Sequence, residues 1–109
     1  MDEIEELAEI FKALSDPTRL RLVKLLSEQP PREHPSACNG QRFLCVNALA
    51  HRLGVTQSAV SQHLRVLRQA GLVRGERRGP FVHYSLDNDG LEKYRAALLD
   101  TLGEDFATG

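Results

Sequence analysis

Two stretches of helical apolar spacing meet across a single glycine between residues 45 and 71, and a chain that turns so tightly has few ways to pack. Residues 45–53, Cys-Val-Asn-Ala-Leu-Ala-His-Arg-Leu, read as a short helix ended by Gly54, a residue that accepts positive φ. Thr56 then offers its hydroxyl to the free N–H groups of a second helix over about 57–70, whose core edge is Val60, Leu64 and Leu67 at i, i+4 and i+7. Gly71 closes it. A short helix, a glycine-containing turn and a second helix form a helix-turn-helix. At roughly 100° per residue, Ser58, Ser61, Gln62, Arg65 and Gln69 fall on the side away from the core edge.

The flanking segments extend this unit. Leu72–Arg77 and Phe81–Leu86 predict two short strands around Arg78-Gly79-Pro80, with Val82, Tyr84 and Leu86 alternating toward one face, which is a hairpin. Upstream, Ile4, Leu7, Ala8, Phe11 and Leu14 repeat at helical spacing over residues 3–14, so their stripe must be buried against something. Ser15-Asp16-Pro17 stops that helix and starts another, with Asp16 as cap and Pro17 at the first helical position. The second helix runs to about Ser27, and its apolar residues Leu20, Leu22, Val23, Leu25 and Leu26 spread around much of its circumference, as in a central helix touched from several sides. Residues 90–102 regain helical spacing through Leu91, Tyr94, Leu98 and Leu102. Residues 29–44 have no period, are dense in helix breakers and predict an irregular loop, and loops beyond about 12–15 residues are uncommon in compact domains. The fold class is therefore mainly α with a small β-hairpin, in the order α-α-α-α-β-β-α: a winged helix-turn-helix forming one domain over residues 1–109.

The net charge of −1 conceals a segregation along the chain. Residues 1–16 carry Lys12 against six acids, and residues 87–105 carry two bases against six acids. Between them, residues 42–78 hold seven arginines against Glu76 alone, a stretch suited to facing phosphates. No apolar run approaches the roughly 18 residues that span a bilayer, and the acidic Met1–Glu6 is unlike a secretory signal, so a cytoplasmic protein with no membrane partner is expected.

A major groove about 12 Å wide accepts a helix such as the one after Thr56. Gln57, Ser58, Ser61, Gln62 and Arg65 are suited to base edges there, since Gln pairs with adenine bidentately, Arg with guanine and Ser with either. Thr56 begins that helix, and a phosphate at its N-terminus would meet free N–H groups. Arg74, Arg77 and Arg78 cluster on the first strand and tip of the hairpin, so the wing can touch backbone or minor groove. The double-stranded DNA operator is the expected partner. Catalysis is not expected: Ser58, Ser61, His51 and His63 lie close in sequence, but there is no strained nucleophile turn, glycine-rich phosphate loop or acid pair in an apolar setting. A dimeric protein-interaction module without DNA is the alternative that the acidic terminal helices would suit.

Three segments together resemble one family, the ArsR/SmtB (arsenic-repressor-like) transcriptional regulators. Phe11–Leu22 is similar to the family's opening segment, Val55–Leu64 to its recognition helix and Leu67–Val73 to the passage into its wing, and only residues 29–44 fall outside the resemblance. The resemblance implies a transcriptional repressor, a homodimer formed through the first and last helices (residues 1–15 and 90–102), and release of DNA when an effector binds. It also implies a soft-metal site through a Cys-x-Cys pair beginning at Cys45, but Asn47 stands where the second cysteine belongs. A second family site on the last helix falls on Asn88, Gly90, Thr101 and Glu104, which lack its carboxylates and histidines save Glu104. Two cysteines in a cytoplasmic chain are better read as thiols than as a disulfide. Cys38, Cys45 and His34 are accordingly the candidate ligands for a thiophilic metal, a metalloid or an oxidant that releases the operator, and a regulator that needs no effector is the alternative. His51, His63 and His83 are assigned no metal.

Overall fold

A computed structural model describes residues 2–28 and 45–103 of the protein. The expected loop 29–44, with His34 and Cys38, lies outside the described residues, as does the tail after Gly103 with Glu104. Five helices and a two-stranded sheet follow in the expected order: α1 (Glu3–Leu14), α2 (Pro17–Ser27), α3 (Val46–Leu53), α4 (Gln57–Gln69), β1 (Val73–Arg78), β2 (Phe81–Leu86) and α5 (Asn88–Leu102).

Capping chemistry sets most of these boundaries. Asp2 and Glu5 form a reciprocal capping box at the start of α1. The Asp16 carboxylate accepts from the N–H groups of Thr18 and Arg19 at 2.9 and 3.1 Å, with Pro17 as the first helical residue of α2. Asp87 accepts from Gly90 N–H at 3.0 Å, which moves the start of α5 to Asn88, two residues before the expected 90. The strand β1 starts at Val73 rather than Leu72, because Leu72 N–H still donates to the Leu67 carbonyl while the Leu72 carbonyl accepts from Asp87. The hairpin pairs Arg78 with Phe81 across Gly79-Pro80, and Gly79 takes φ 62°, the positive first position that two-residue hairpin loops favour.

The core is built from the helix-turn-helix outward. Val60, Leu64 and Leu67 of α4 are fully buried against Leu22 and Leu26 of α2, Leu49 and Ala50 of α3, and Leu72 and Val73 at the start of the wing. Helix α2 touches α1, α3, α4 and β2, the central role its apolar circumference predicts, although Leu20 remains exposed.

The α1 stripe meets expectation in part: Leu7 is buried and Leu14 half-buried against the core. Leu7, Ile10 and Ala13 are the residues it buries, whereas Ile4, Ala8 and Phe11 lie in solvent, with Ile4 58% and Phe11 50% exposed. Both sets have helical spacing, so periodicity alone does not say which of two neighbouring faces meets the chain's own core. Helix α5 packs against α1, held by the Lys93 ammonium, which donates to the Glu6 carboxylate at 3.0 Å. That hydrogen bond raises the pKa of Lys93 above its ordinary 10.5.

Candidate nucleic-acid interface

The turn between α3 and α4 is made by Gly54, at φ 69°, and fixed by the Gly54 and Val55 N–H groups, both donating to the Ala50 carbonyl. The Thr56 hydroxyl then accepts from Ala59 N–H at 3.0 Å, so α4 leaves the turn with its direction set by a side-chain cap. The buried edge of Val60, Leu64 and Leu67 fixes its rotation about its own axis. Thr56, Gln57, Ser58, Ser61, Gln62 and Arg65 are all exposed as a consequence. They form one polar surface over about the first two and a half turns of the helix.

Two contacts steady this surface. Gln57 Nε2 donates to Asn47 Oδ1 at 3.0 Å, joining the start of α4 to the start of α3. On the other flank, His63 Nε2 lies 4.0 Å from the Asp16 carboxylate that caps α2. The N–H of Arg19 holds the Asp16 carboxyl below its ordinary 3.8, with the Thr18 N–H and the nearby His63 acting in the same direction and partial burial opposing them. Neither contact was legible in the sequence. The Gln57–Asn47 pair is ten residues apart on different helices, and the His63–Asp16 pair depends on how α4 crosses α2.

The wing follows directly. Arg74 and Arg77 are exposed and Arg78 is half-buried, its guanidinium making a 2.6 Å ion pair with Glu76 two residues earlier on the same strand. Gly75 lets Arg68 approach β1: a β-carbon there would meet an Arg68 Nη at 3.4 Å and Val82 and Tyr84 atoms at 3.2 Å. The end of α4 and the wing are thus packed as one unit.

The expected thiol site is only partly in view. Cys45 is buried and caps α3 without a side-chain hydrogen bond, while Asn47 is exposed and engaged with Gln57. Among the described residues no group of three or more His, Cys, Asp or Glu side chains is placed to hold a metal ion. His51 is exposed, and His83 is buried in β2. No helix of the described residues is long and apolar enough to cross a membrane.

Comparison with known proteins bears on this arrangement. The family described as "Bacterial regulatory protein, arsR family" matches residues 38–74, the span from just before α3 to the start of the wing. A transcriptional repressor SmtB homolog of Synechocystis is 42% identical over 96 residues, which are 87% of this chain and 63% of that protein; the chain therefore spans under two thirds of that relative. An uncharacterised HTH-type transcriptional regulator of Methanocaldococcus jannaschii is 37% identical, with 82% of this chain and 86% of the other covered. Among solved structures, the crystal structure of a possible transcriptional regulator for arsenical resistance matches with a TM-score of 0.66 at 38% identity, covering 86% of this chain and 83% of that one.

Proposed function

Because the chain belongs to the arsR family of bacterial regulatory proteins, which are transcriptional regulators and not enzymes, we propose that it is a sequence-specific DNA-binding repressor acting as a homodimer. Helix α4 lies in the major groove, and the wing lies on the adjacent backbone or minor groove. The observation that carries this reading is the α4 surface. Six residues from Thr56 to Arg65 stand in solvent with hydrogen-bonding ends suited to base edges, on a helix whose rotation is fixed by three buried residues. Any surface helix has a polar outer face, and what sets this one apart is the wing that follows it directly with Arg74 and Arg77 in solvent.

The test is fluorescence-anisotropy titration against promoter fragments, repeated over a range of salt concentrations. Gln62→Ala and Arg65→Ala are expected to cost about 1–3 kcal/mol each on the preferred sequence and to relax base preference. Arg77→Gln and Arg78→Gln are expected to weaken binding to every sequence. If all four variants bind as the parent does, or no complex forms even in dilute buffer, the groove assignment fails and the dimeric protein-interaction reading takes its place.

The homodimer is supported by the Ile4, Ala8 and Phe11 face of α1, apolar and exposed, and by Leu102 on α5, which is also exposed. Release from the operator by a thiophilic metal, metalloid or oxidant is the finer part of the proposal, assigned to Cys38, Cys45 and His34. Its support is the place of Cys45 at the N-terminus of α3, one short helix before the reading surface, together with the arsenical-resistance description of a related structure. The neutral Asn47 amide is a poor ligand for a soft ion, so the site needs Cys38 and His34 beside Cys45. Operator release by As(III), Zn²⁺ or peroxide is expected in the parent protein and not in Cys38→Ser. Equal release of both proteins removes these thiols from the response, and release of neither leaves an effector-independent regulator.

A further inference from the structure

A cavity of about 640 Å³ opens among α1, α2, α4 and α5 and takes no part in the DNA reading. Its size falls within the roughly 300–1,000 Å³ of small-molecule sites. Most of its wall is apolar, from Ala13, Val66, Ala70 and the ring of Tyr94, and Lys12 and Arg19 bring positive charge to it. Glu6, also on its lining, is already engaged by Lys93. No carboxylate lies within ion-pair distance of Lys12 or Arg19 among the described residues, and Arg19 Nε is buried with no hydrogen-bond acceptor. Arg19 and Lys12 thus line the cavity as cations with no described carboxylate paired to them, and a ligand carboxylate supplies that partner. The cavity is also distinct from the exposed apolar stripe of α1. At about 100° per residue, Glu9 and Ala13, on the cavity side, point roughly away from Phe11 and Ile4.

We propose that this cavity binds a small aromatic carboxylate, its ring against Ala13, Val66, Ala70 and Tyr94 and its carboxylate on Arg19 and Lys12. The charge pattern sets the preference. A neutral analogue fills the apolar wall but leaves Arg19 and Lys12 without a counter-charge, and a cationic one meets two like charges. Glu9 is the one lining carboxylate with no ion pair among the described residues, and it opposes an anionic ligand. Because the last turn of α4 forms one wall, an occupant is felt by the helix that carries Gln62 and Arg65.

The experiment uses the full chain without DNA, so its outcome is independent of the operator reading. Amide chemical shifts are followed by NMR while 1-naphthoate, 1-naphthalenemethanol or 1-naphthylmethylamine is added. Saturable shifts at Ala13, Val66 and Ala70 are expected with the carboxylate, which binds roughly tenfold or more tightly than the alcohol, as charge-assisted hydrogen bonds imply. Arg19→Gln should shrink that preference severalfold, Lys12 keeping the remainder, with folding checked by the remaining spectrum. Glu9→Gln should tighten naphthoate binding, a gain that a misfolded variant cannot produce. Absence of saturable shifts at these three residues, equal binding of acid and alcohol, or a preference untouched by Arg19→Gln would each overturn the proposal.

Discussion

A β-carbon placed on Gly90 would run into the carbonyl oxygen of Gly71, so the first turn of α5 and the turn that ends α4 touch backbone to backbone. Gly90→Ala sets two effects against each other. Alanine in a helix gains about 0.5–1 kcal/mol over glycine, while overpacking a close contact costs typically about 1–3 kcal/mol. The contact is with backbone, which cannot swing aside, so the steric cost wins. Gly90→Ala is expected to lower the thermal midpoint by several degrees, at roughly 4–8 °C per kcal/mol for a chain near this size; a midpoint at or above the parent's would show that α5 rides freely over the turn. Asp16 gives a prediction in pH. Its folded pKa is depressed below 3.8 by the Arg19 and Thr18 N–H groups and by His63, so its contribution is fully present above pH 3.8 and is lost as pH falls through the depressed value. Asp16→Asn keeps an acceptor at the cap but cannot titrate. Acid unfolding followed by circular dichroism should therefore show a shallower decline below pH 3.8 in the variant, and identical acid limbs would remove Asp16 from the account.

The wing is an element whose charge is held partly in reserve. Arg78 is bound to Glu76 on its own strand, and that ion pair competes with any phosphate that approaches. Glu76→Gln is expected to raise affinity for every DNA sequence and to steepen the salt dependence by up to about 0.9 in log K against log[salt], the increment for one further neutralised phosphate. An unchanged slope would mean that Arg78 faces away from the duplex. The elements themselves were legible because each boundary rests on local chemistry: Asp16-Pro17 starting α2, Gly54 ending α3, Thr56 capping α4 and Gly79 turning the hairpin all act within a few residues of themselves. So was the exposed face of α4, since Val60, Leu64 and Leu67 leave only one side for Ser58, Gln62 and Arg65. The cavity beside α4 was not. It depends on the angle at which α1, α2, α4 and α5 meet, and no spacing within one helix encodes that angle. The core face of α1 was legible only in Leu7 and Leu14, because Ile4-Ala8-Phe11 and Leu7-Ile10-Leu14 are both spaced as a helical face, and only the tertiary packing chooses between them.

For the molecule as a whole, the charge segregation and the exposed apolar face of α1 point the same way. The acidic helices at the two ends pack on each other through Glu6 and Lys93, while the arginines of α4 and the wing stand on the elements proposed to meet DNA. A duplex attracts the second region and repels the first, so the acidic helices are best placed facing something other than DNA. A second copy fits. Ile4 and Phe11 offer it large apolar surface that this chain leaves in water, and burying such surface is favourable at about 25 cal/mol per Å². Phe11→Glu places a charge on that face without touching the buried core, since Phe11 is already half exposed. The variant is expected to melt near the parent temperature, to sediment as a monomer and to bind a two-half-site operator roughly a hundredfold or more weakly, because the second half-site is then no longer an intramolecular partner. Its affinity for a single half-site should be unchanged. A Phe11→Glu protein that sediments as the parent does would show that α1 does not carry the dimer contact, and a monomer with full operator affinity would show that DNA binding needs no dimer.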